Sequence, residues 1–412
     1  MIAVIADDLT GASDAGVQFA RRGLATRVLF DLCGPAASID VDVLVVDTDS
    51  RALSSEAAYA RVRQVAERLQ VFHPERVYKK VDSTLRGNLG AEIDAIMDAL
   101  AYPHALVAPA FPALGRTTRD GVHRVRGRPV HETEIGRDPK TPVRESHLVS
   151  LLQTQSRRTA AVVTLDTVER GPRAIREEVE AHLRRGAALL VCDAESDTAL
   201  RTIAASFADR RDTLWVGSAG LADQLADALA SATDEPRVAD RDGAEGPVLL
   251  VAGSVSQITR QQVEAVCASE RTVTVELNPT ALADGHFEEE RCRQELGAAL
   301  ARGQDCVLVV RSQPPRVDLA SRIVDVLGRL AADCARSHWL RGFILTGGDT
   351  ARAVCRHLGV AGIQLLAEIE PGVPLGRLVG QTSTPLLAVT KAGAFGSEDT
   401  LVHALHQLKG DR

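Results

Sequence analysis

Lysine is the scarce charge in this chain. Of 48 lysines and arginines only five are lysines, and three of those are Lys79, Lys80 and Lys391. An arginine position therefore carries little information, and a lysine position rather more. A basic excess is also lacking: the net charge is −7 and the isoelectric point about 5.9, which speaks against a nucleic-acid or membrane-surface protein. The seven cysteines (Cys33, Cys192, Cys267, Cys292, Cys306, Cys334 and Cys355) contain no Cys-x-x-Cys pair, and several sit in apolar runs such as "ALLVCDA" and "DCVLVV". They read as reduced, buried thiols of a cytoplasmic protein. No apolar run approaches the roughly 18 residues of a membrane-spanning helix. The chain opens on a strand-like "MIAVIADDLTG" with no basic stretch before it, so no signal peptide is expected. Two nucleotide signatures are missing as well. There is no Gly-x-x-x-x-Gly-Lys-Ser/Thr, and no Gly-x-Gly-x-x-Gly follows a strand with a later acid.

What is present is an alternation. Short Val/Leu/Ile runs ("IAVIA", "TRVLF", "VLVVDT", "ALVAPA", "AAVVTL", "LWVGSA") are separated by amphipathic stretches such as "SEAAYARVRQVAERLQ" and "RAIREEVEAHLRRG". Continuous apolar runs suit parallel strands buried on both faces. The pattern breaks at residues 232–247, "ATDEPRVADRDGAEGP", then resumes with "VLLVAGS", "TVTVEL", "CVLVVRS", "GFILTGG" and "LLAVTKAG". The length supports two domains. The expected architecture is two α/β domains with mainly parallel sheets and a ligand cleft between them: domain one over 1–235, a linker over 236–247, and domain two over 248–412. The polar, Gly-, Pro- and Arg-rich segment 110–145 is too long for a structureless loop and predicts a β-hairpin arm or a lid.

Polar residues gather where strands end. After "IAVIA" come Asp7, Asp8, Thr10, Gly11 and Asp14, with a helix starting near Gly11 or Ala12. Ligands of open α/β sheets sit beyond the carboxyl ends of strands, and adjacent acids there repel one another. They can hold sugar hydroxyls, bind Mg²⁺ or take a proton; the competing reading makes Asp7 or Asp8 a turn cap and Asp14 a partner of the helix dipole. "YKKVDSTLRGN" places Lys80, Asp82, Ser83, Thr84, Arg86 and Asn88 between a strand and a helix starting near Gly87. A helix N-terminus, a forked guanidinium and a point charge together suit a small hydroxylated anion; otherwise this is a solvated turn capped by Asp82 or Ser83. "VVDTDSR" brings Asp47, Asp49, Ser50 and Arg51 to a third strand end, with an internal ion pair as the alternative. Arg116 would reach the site from the long segment.

In the second domain three small-residue turns each lead into a helix: Gly253-Ser254-Val255-Ser256, Thr346-Gly347-Gly348-Asp349-Thr350, and Lys391 with Gly393, Gly396 and Ser397. Glycine lets backbone N–H groups close on an anion, and the helix dipole favours negative charge. Three such turns can hold a nucleotide triphosphate without a Walker motif.

These stretches, "IADDLTGASD", "DTDSR", "KKVDSTLRGN", "PAFPALGRTT", "GSVSQIT", "LTGGDTA" and "KAGAFGSEDTL", resemble those of the four-carbon acid sugar kinases, in order and over nearly the whole chain. The resemblance implies ATP-dependent phosphorylation of the terminal hydroxyl of D-threonate, L-threonate, D-erythronate or 3-oxo-tetronate. It implies that Asp7, Asp8, Lys80, Asp82, Ser83 and Arg86 serve the sugar acid, and that Ser254, the Gly347–Thr350 turn and the Gly393–Gly396 loop serve ATP.

The combined expectation is a phosphoryl transfer governed by positioning and charge neutralisation. Arg86 and Lys80 grip the carboxylate, with Arg51 and Asn88 beside them. Asp7, Asp8 and Thr10 hold hydroxyls, and one aspartate is the base: Asp8 first, with Asp7, Asp14 and Asp82 left open. Ser254, Ser256 and the later turns hold ATP, Mg²⁺ bridges the phosphates with no protein ligand assigned, and Lys391 or the "AGAFG" amides meet the developing charge. A homodimer is left open; nucleic acid and membrane are not expected partners. The rivals are a sugar-phosphate phosphatase, whose Asp-x-Asp-x-Thr spacing Asp7-Asp8-Leu9-Thr10 misses, and a non-catalytic two-domain sugar-acid-binding protein.

Overall fold

The computed structural model describes residues 1–30, 32, 40–138, 140–229, 245–254, 256–286, 289–311, 319–380 and 386–410. Cys33, Val255 and the expected linker as far as residue 244 lie outside them. The chain divides into two compact units, Met1–Arg237 and Val238–Arg412. In each unit the continuous apolar runs have become strands of a mainly parallel sheet packed with helices.

The first unit holds β1 (Ile2–Ala6), β2 (Thr26–Leu29), β3 (Val43–Asp47), β4 (Arg76–Lys80), β5 (His104–Ala108), β9 (Ala160–Val163), β10 (Leu189–Cys192) and β11 (Thr213–Gly217), besides the short β6, β7 and β8 described below. Its sheet runs β2-β3-β1-β4-β11-β5-β10-β9, every pair parallel. From β1 the chain crosses to β2 on one side, and from β3 it returns to β4 on the other. The crevice where the direction of winding reverses lies at the ends of β3, β1 and β4. Helix α1 (Leu9–Ala20) begins two residues earlier than its sequence suggests, because Asp8 is its cap: Oδ1 accepts from the Gly11 amide at 2.9 Å. Its residues from Leu9 to Phe19 are all buried, and its small side chains let it pack against the helix Ala219–Leu229. Helix α2 spans Ser55–Leu69, and α3 spans Leu89–Leu100 with Asn88, not Asp82 or Ser83, at its cap position.

Segment 110–145 contains the expected hairpin. Strands β6 (Arg116–Arg119), β7 (Val122–Val125) and β8 (Arg128–Pro129) form a small antiparallel sheet. Asp120-Gly121 and Arg126-Gly127 both carry two successive positive φ values, 53° and 70°, then 49° and 79°. That is the turn whose twist matches antiparallel partners. Asp193 fixes the first turn by accepting from the amides of Asp120 and Gly121 at 2.7 and 3.0 Å.

The second unit holds β12 (Val248–Ala252), β13 (Val273–Leu277), β14 (Cys306–Val310), β15 (Gly342–Thr346), β16 (Val360–Glu370), β17 (Val373–Gly380) and β18 (Leu387–Lys391), ordered β13-β14-β12-β15-β18-β17-β16. The first five in that order are parallel; β17 runs antiparallel to both of its neighbours. The long β16–β17 hairpin is absent from the sequence reading. It folds at Pro371-Gly372, where Gly372 has φ 79°, the turn conformation that a proline-glycine pair favours.

Candidate functional site

Register alone assembles the first cluster. Ala6 pairs with Asp47 on one side and with Lys80 on the other, so the residues following β1, β3 and β4 emerge together. Arg51 is the hub. Its guanidinium donates to both Asp7 carboxylate oxygens at 2.7 and 3.0 Å and to both Asp8 oxygens at 2.8 and 2.6 Å, and it lies 3.9 Å from Asp82. The internal ion pair weighed for "VVDTDSR" is therefore formed with another loop. Asp49 turns back instead, its amide donating to Asp47 at 2.9 Å, and Ser50 donates to Glu92 at 2.7 Å.

Asp82 accepts from Arg86 Nε and Nη2 at 2.9 and 3.1 Å and from the Thr84 hydroxyl, while Arg86 also faces Asp138 at 3.6 Å. Leu85 is held at φ 65°, a strained conformation of the kind found at binding sites, whereas Gly87 at φ 96° takes its turn without that cost. Lys80 donates to the Val81 carbonyl at 2.9 Å. Its ammonium packs beside Gly11, where a Cβ would lie 2.6 Å from Asp8 Oδ1 and 3.0 Å from Lys80 Nζ. Glycine there lets the Asp8 carboxylate and the Lys80 ammonium approach the start of α1 together. Asn88 ties α3 to the loop after β3 through the Leu53 carbonyl, at 3.0 Å. Thr10, Ser83 and Asp14 are buried, and Asp14 lies one helical turn further along α1, within electrostatic reach of Tyr78 and Arg116.

The acids are not equivalent. Burial drives both adjacent carboxyls upward; in Asp7 the charges of Arg51, Lys79 and Lys80 overcome it and leave the group below the ordinary range. In Asp8 burial prevails over Arg51, helped by the negative charge of Asp7, and the group is raised. Asp82 is held well below the carboxylate range because Arg86 and Arg51 outweigh its burial. Asp8 is also the more accessible of the adjacent pair, its side chain 24% exposed against 4% for Asp7. A raised, partly open carboxylate is the better proton acceptor.

Four residues given no role by the sequence support this cluster or lie close to it. Lys79, on the opposite face of β4 from Lys80, forms a buried pair with Glu92 at 2.6 Å. Asp138 closes over Arg86. His123, on β7, donates from Nε2 to the Ser83 carbonyl at 2.9 Å and accepts the Thr118 hydroxyl on Nδ1 at 2.8 Å. Consecutive lysines at a strand end were the available signal for Lys79, since strand geometry sends one to each face. Nothing local marks Glu92, Asp138 or His123.

The second unit repeats the device. Thr346 pairs with Ala252 and with Lys391, so the turns after β12, β15 and β18 stand side by side. They interlock: Ser256, cap of the helix Gln257–Ser269, donates to the Gly393 carbonyl at 2.5 Å, and the Gly347 amide donates to the Lys391 carbonyl at 2.8 Å. A side chain at Gly253 would overlap Thr350, one at Gly393 would overlap Ser254, and one at Gly396 would overlap Thr400. Gly347 has φ 94° and leads into the helix Gly348–Leu358, whose first turn contains Asp349. All the residues expected around ATP, Ser254, Ser256, Thr346, Gly347, Gly348, Asp349, Thr350, Gly393 and Gly396, thus lie on three adjoining turns. Lys391 departs from the expectation of a charge facing the phosphates: its ammonium donates to the carbonyls of Ala392, Gly393 and Phe395 at 2.9, 3.3 and 2.9 Å. Among the described residues no group of three histidine, cysteine, aspartate or glutamate side chains could cage a metal ion, and no helix is long and apolar enough to cross a membrane.

Residues 2–225 match the family described as a sugar-binding N-terminal domain, and residues 249–401 match the nucleotide-binding C-terminal domain. The chain is 34% identical to the D-threonate kinase of Salmonella typhimurium, covering 98% of each protein. This chain belongs to the four-carbon acid sugar kinase family. Other members of the family are similar over comparable lengths: the D-erythronate kinase of Heliobacterium modesticaldum at 33% identity, covering 97% of this chain and 94% of that one, and the 3-oxo-tetronate kinase of Pseudomonas fluorescens at 31%, covering 100% and 97%. The crystal structure of a Haemophilus influenzae protein is similar with a TM-score of 0.79 at 26% identity, over 98% of this chain and all of that one.

Proposed function

We propose that this protein transfers the γ-phosphoryl group of ATP to the terminal hydroxyl of a four-carbon sugar acid. The observation that carries the reading is the Arg51-centred cluster at the β1, β3 and β4 ends, with its raised Asp8. Asp8 takes the proton of the attacking hydroxyl as the new O–P bond forms; the bond between the γ-phosphorus and the β–γ bridging oxygen breaks, and ADP leaves with the electron pair. Arg86 and Lys80 orient the substrate carboxylate, and Asp7 and Thr10 its hydroxyls. The turns around Ser254, Gly347–Thr350 and Gly393–Gly396 carry the phosphates. Mg²⁺ would accompany ATP and supply charge neutralisation at its phosphates. The setting is the cytoplasm, where ATP is supplied and unpaired thiols such as Cys192 and Cys355 stay reduced.

Neither the phosphatase nor the non-catalytic alternative is favoured, because the relatives just described are named as kinases. A coupled ADP-release assay across D-threonate, L-threonate, D-erythronate and 3-oxo-tetronate tests the reading, with NMR locating the phosphoryl group. ADP formed only with a tetronate, and phosphorus on its terminal oxygen, is expected. ATP hydrolysis indifferent to sugar acid would refute it.

A further inference from the structure

The Ala392–Ser397 loop is folded inside out around an ammonium. The carbonyls of Ala392, Gly393 and Phe395 converge on Lys391 Nζ. From the helix Gln257–Ser269, Gln262 takes the Phe395 and Ser397 carbonyls at 3.1 and 2.5 Å, and Thr259 takes the Gly393 carbonyl at 2.9 Å. In a trans peptide the N–H points opposite to the preceding C=O, and the chain has no cis bonds among the described residues. The amides of Gly393, Ala394 and Gly396 are therefore aimed away from the ammonium. None of the three finds an acceptor among the described residues. Lys391 itself is 1% exposed.

We infer that Lys391 is a positioning residue: its ammonium gathers the loop carbonyls so that three backbone amides are presented as a seat for the nucleotide's phosphates, without touching those phosphates itself. This rests on the reading of the second unit as the ATP-binding one. An anion seated on the loop favours the charged form of the lysine behind it, so by linkage nucleotide binding takes up a proton wherever Lys391 is neutral in the free protein. Burial brings that ionisation down to about 8, against the opposing charge of Glu370, the titratable group facing it. Glu370 is in turn held by Thr400 and His403. Deprotonation leaves the nitrogen two N–H donors for three carbonyls, and the loop loosens.

The sign separates this effect from general alkaline unfolding. A lysine whose folded pKa lies below its unfolded value adds stability to the free protein as pH rises from about 8 to about 10. On this group's account, affinity falls while the free fold is not weakened. The test is calorimetric titration of the full chain with MgADP from about pH 7 to about 9.5, above the second phosphate ionisation near 6. Wild type is expected to lose affinity about tenfold per unit above the midpoint near 8, with proton uptake seen in buffers of different ionisation enthalpy. Lys391→Met should bind at least tenfold more weakly at neutral pH, raise KM for ATP more than it lowers kcat, and lack the alkaline midpoint. Thr259→Val, which loosens the same loop but keeps the charge, should weaken binding and retain the midpoint. A flat wild-type profile overturns the inference, as does a Lys391→Met enzyme with unchanged KM and lost kcat. Wild type that binds no nucleotide at any pH overturns the ATP reading itself, and this inference with it.

Discussion

Asp8 does two jobs with one carboxylate: it caps α1 and sits, raised, against Arg51. Asn in its place keeps the cap, since its side-chain oxygen still accepts from Gly11, but cannot take a proton. Asp8→Asn is expected to lower kcat by about 10²–10⁴-fold with the melting temperature little changed, measured by steady-state kinetics beside thermal unfolding. Wild-type turnover in a folded Asp8→Asn enzyme would move the base to Asp7, Asp14 or Asp82. The Lys79–Glu92 pair beneath the cluster makes a different prediction. Both side chains are almost fully buried, at 0% and 2% exposure, so removing one partner strands a charge. Lys79→Met should cost about 3–5 kcal/mol in denaturant unfolding, and adding Glu92→Met should recover part of that loss.

At the scale of elements, the hairpin β6–β8 is tied to the loop after β4 through His123. His123 donates to the Ser83 carbonyl and accepts from Thr118, and burial lowers its pKa to about 4. The folded value lies below the unfolded one near 6.5. The stabilisation is therefore complete above pH 6.5 and is lost as pH falls toward 4. His123→Asn should flatten the acid side of the stability–pH curve in that window, by up to about 3 kcal/mol.

The same segment shows where the sequence could be read and where it could not. Asp-Gly and Arg-Gly turns announce a hairpin locally, but that β7 would meet Ser83, or that Asp138 would meet Arg86, depends on contacts 40 and more residues apart. The Asp7-Asp8, Lys80–Asn88 and Gly-rich turns were legible because each is a strand end followed by a helix start. The β16–β17 hairpin was not, although Pro371-Gly372 is a turn signal, because its strands lie among βα units and read as their continuation. Charge partners were the least legible feature. Arg86 carries the right chemistry for a carboxylate, yet only the fold reveals that Asp82 and Asp138 already share it.

For the whole molecule, the two units apply one construction to two anions. Parallel strands end in register, polar or small-residue turns follow, and helix N-termini supply positive potential. One turn set is rich in carboxylates and cations; the other is rich in glycine and hydroxyls. The first can hold a hydroxylated acid and activate it, and the second can hold phosphates. The first unit matches a sugar-binding domain and the second a nucleotide-binding domain, and the proposed reaction passes phosphate from one ligand to the other. The most direct test is a single-turnover reaction of enzyme with ATP labelled at the γ-phosphorus, in the presence of each tetronate. The label is predicted to appear on the terminal oxygen of the sugar acid, with little inorganic phosphate, and to disappear from that product with Asp8→Asn. Label recovered as inorganic phosphate, or left on ATP with every tetronate, would contradict the account.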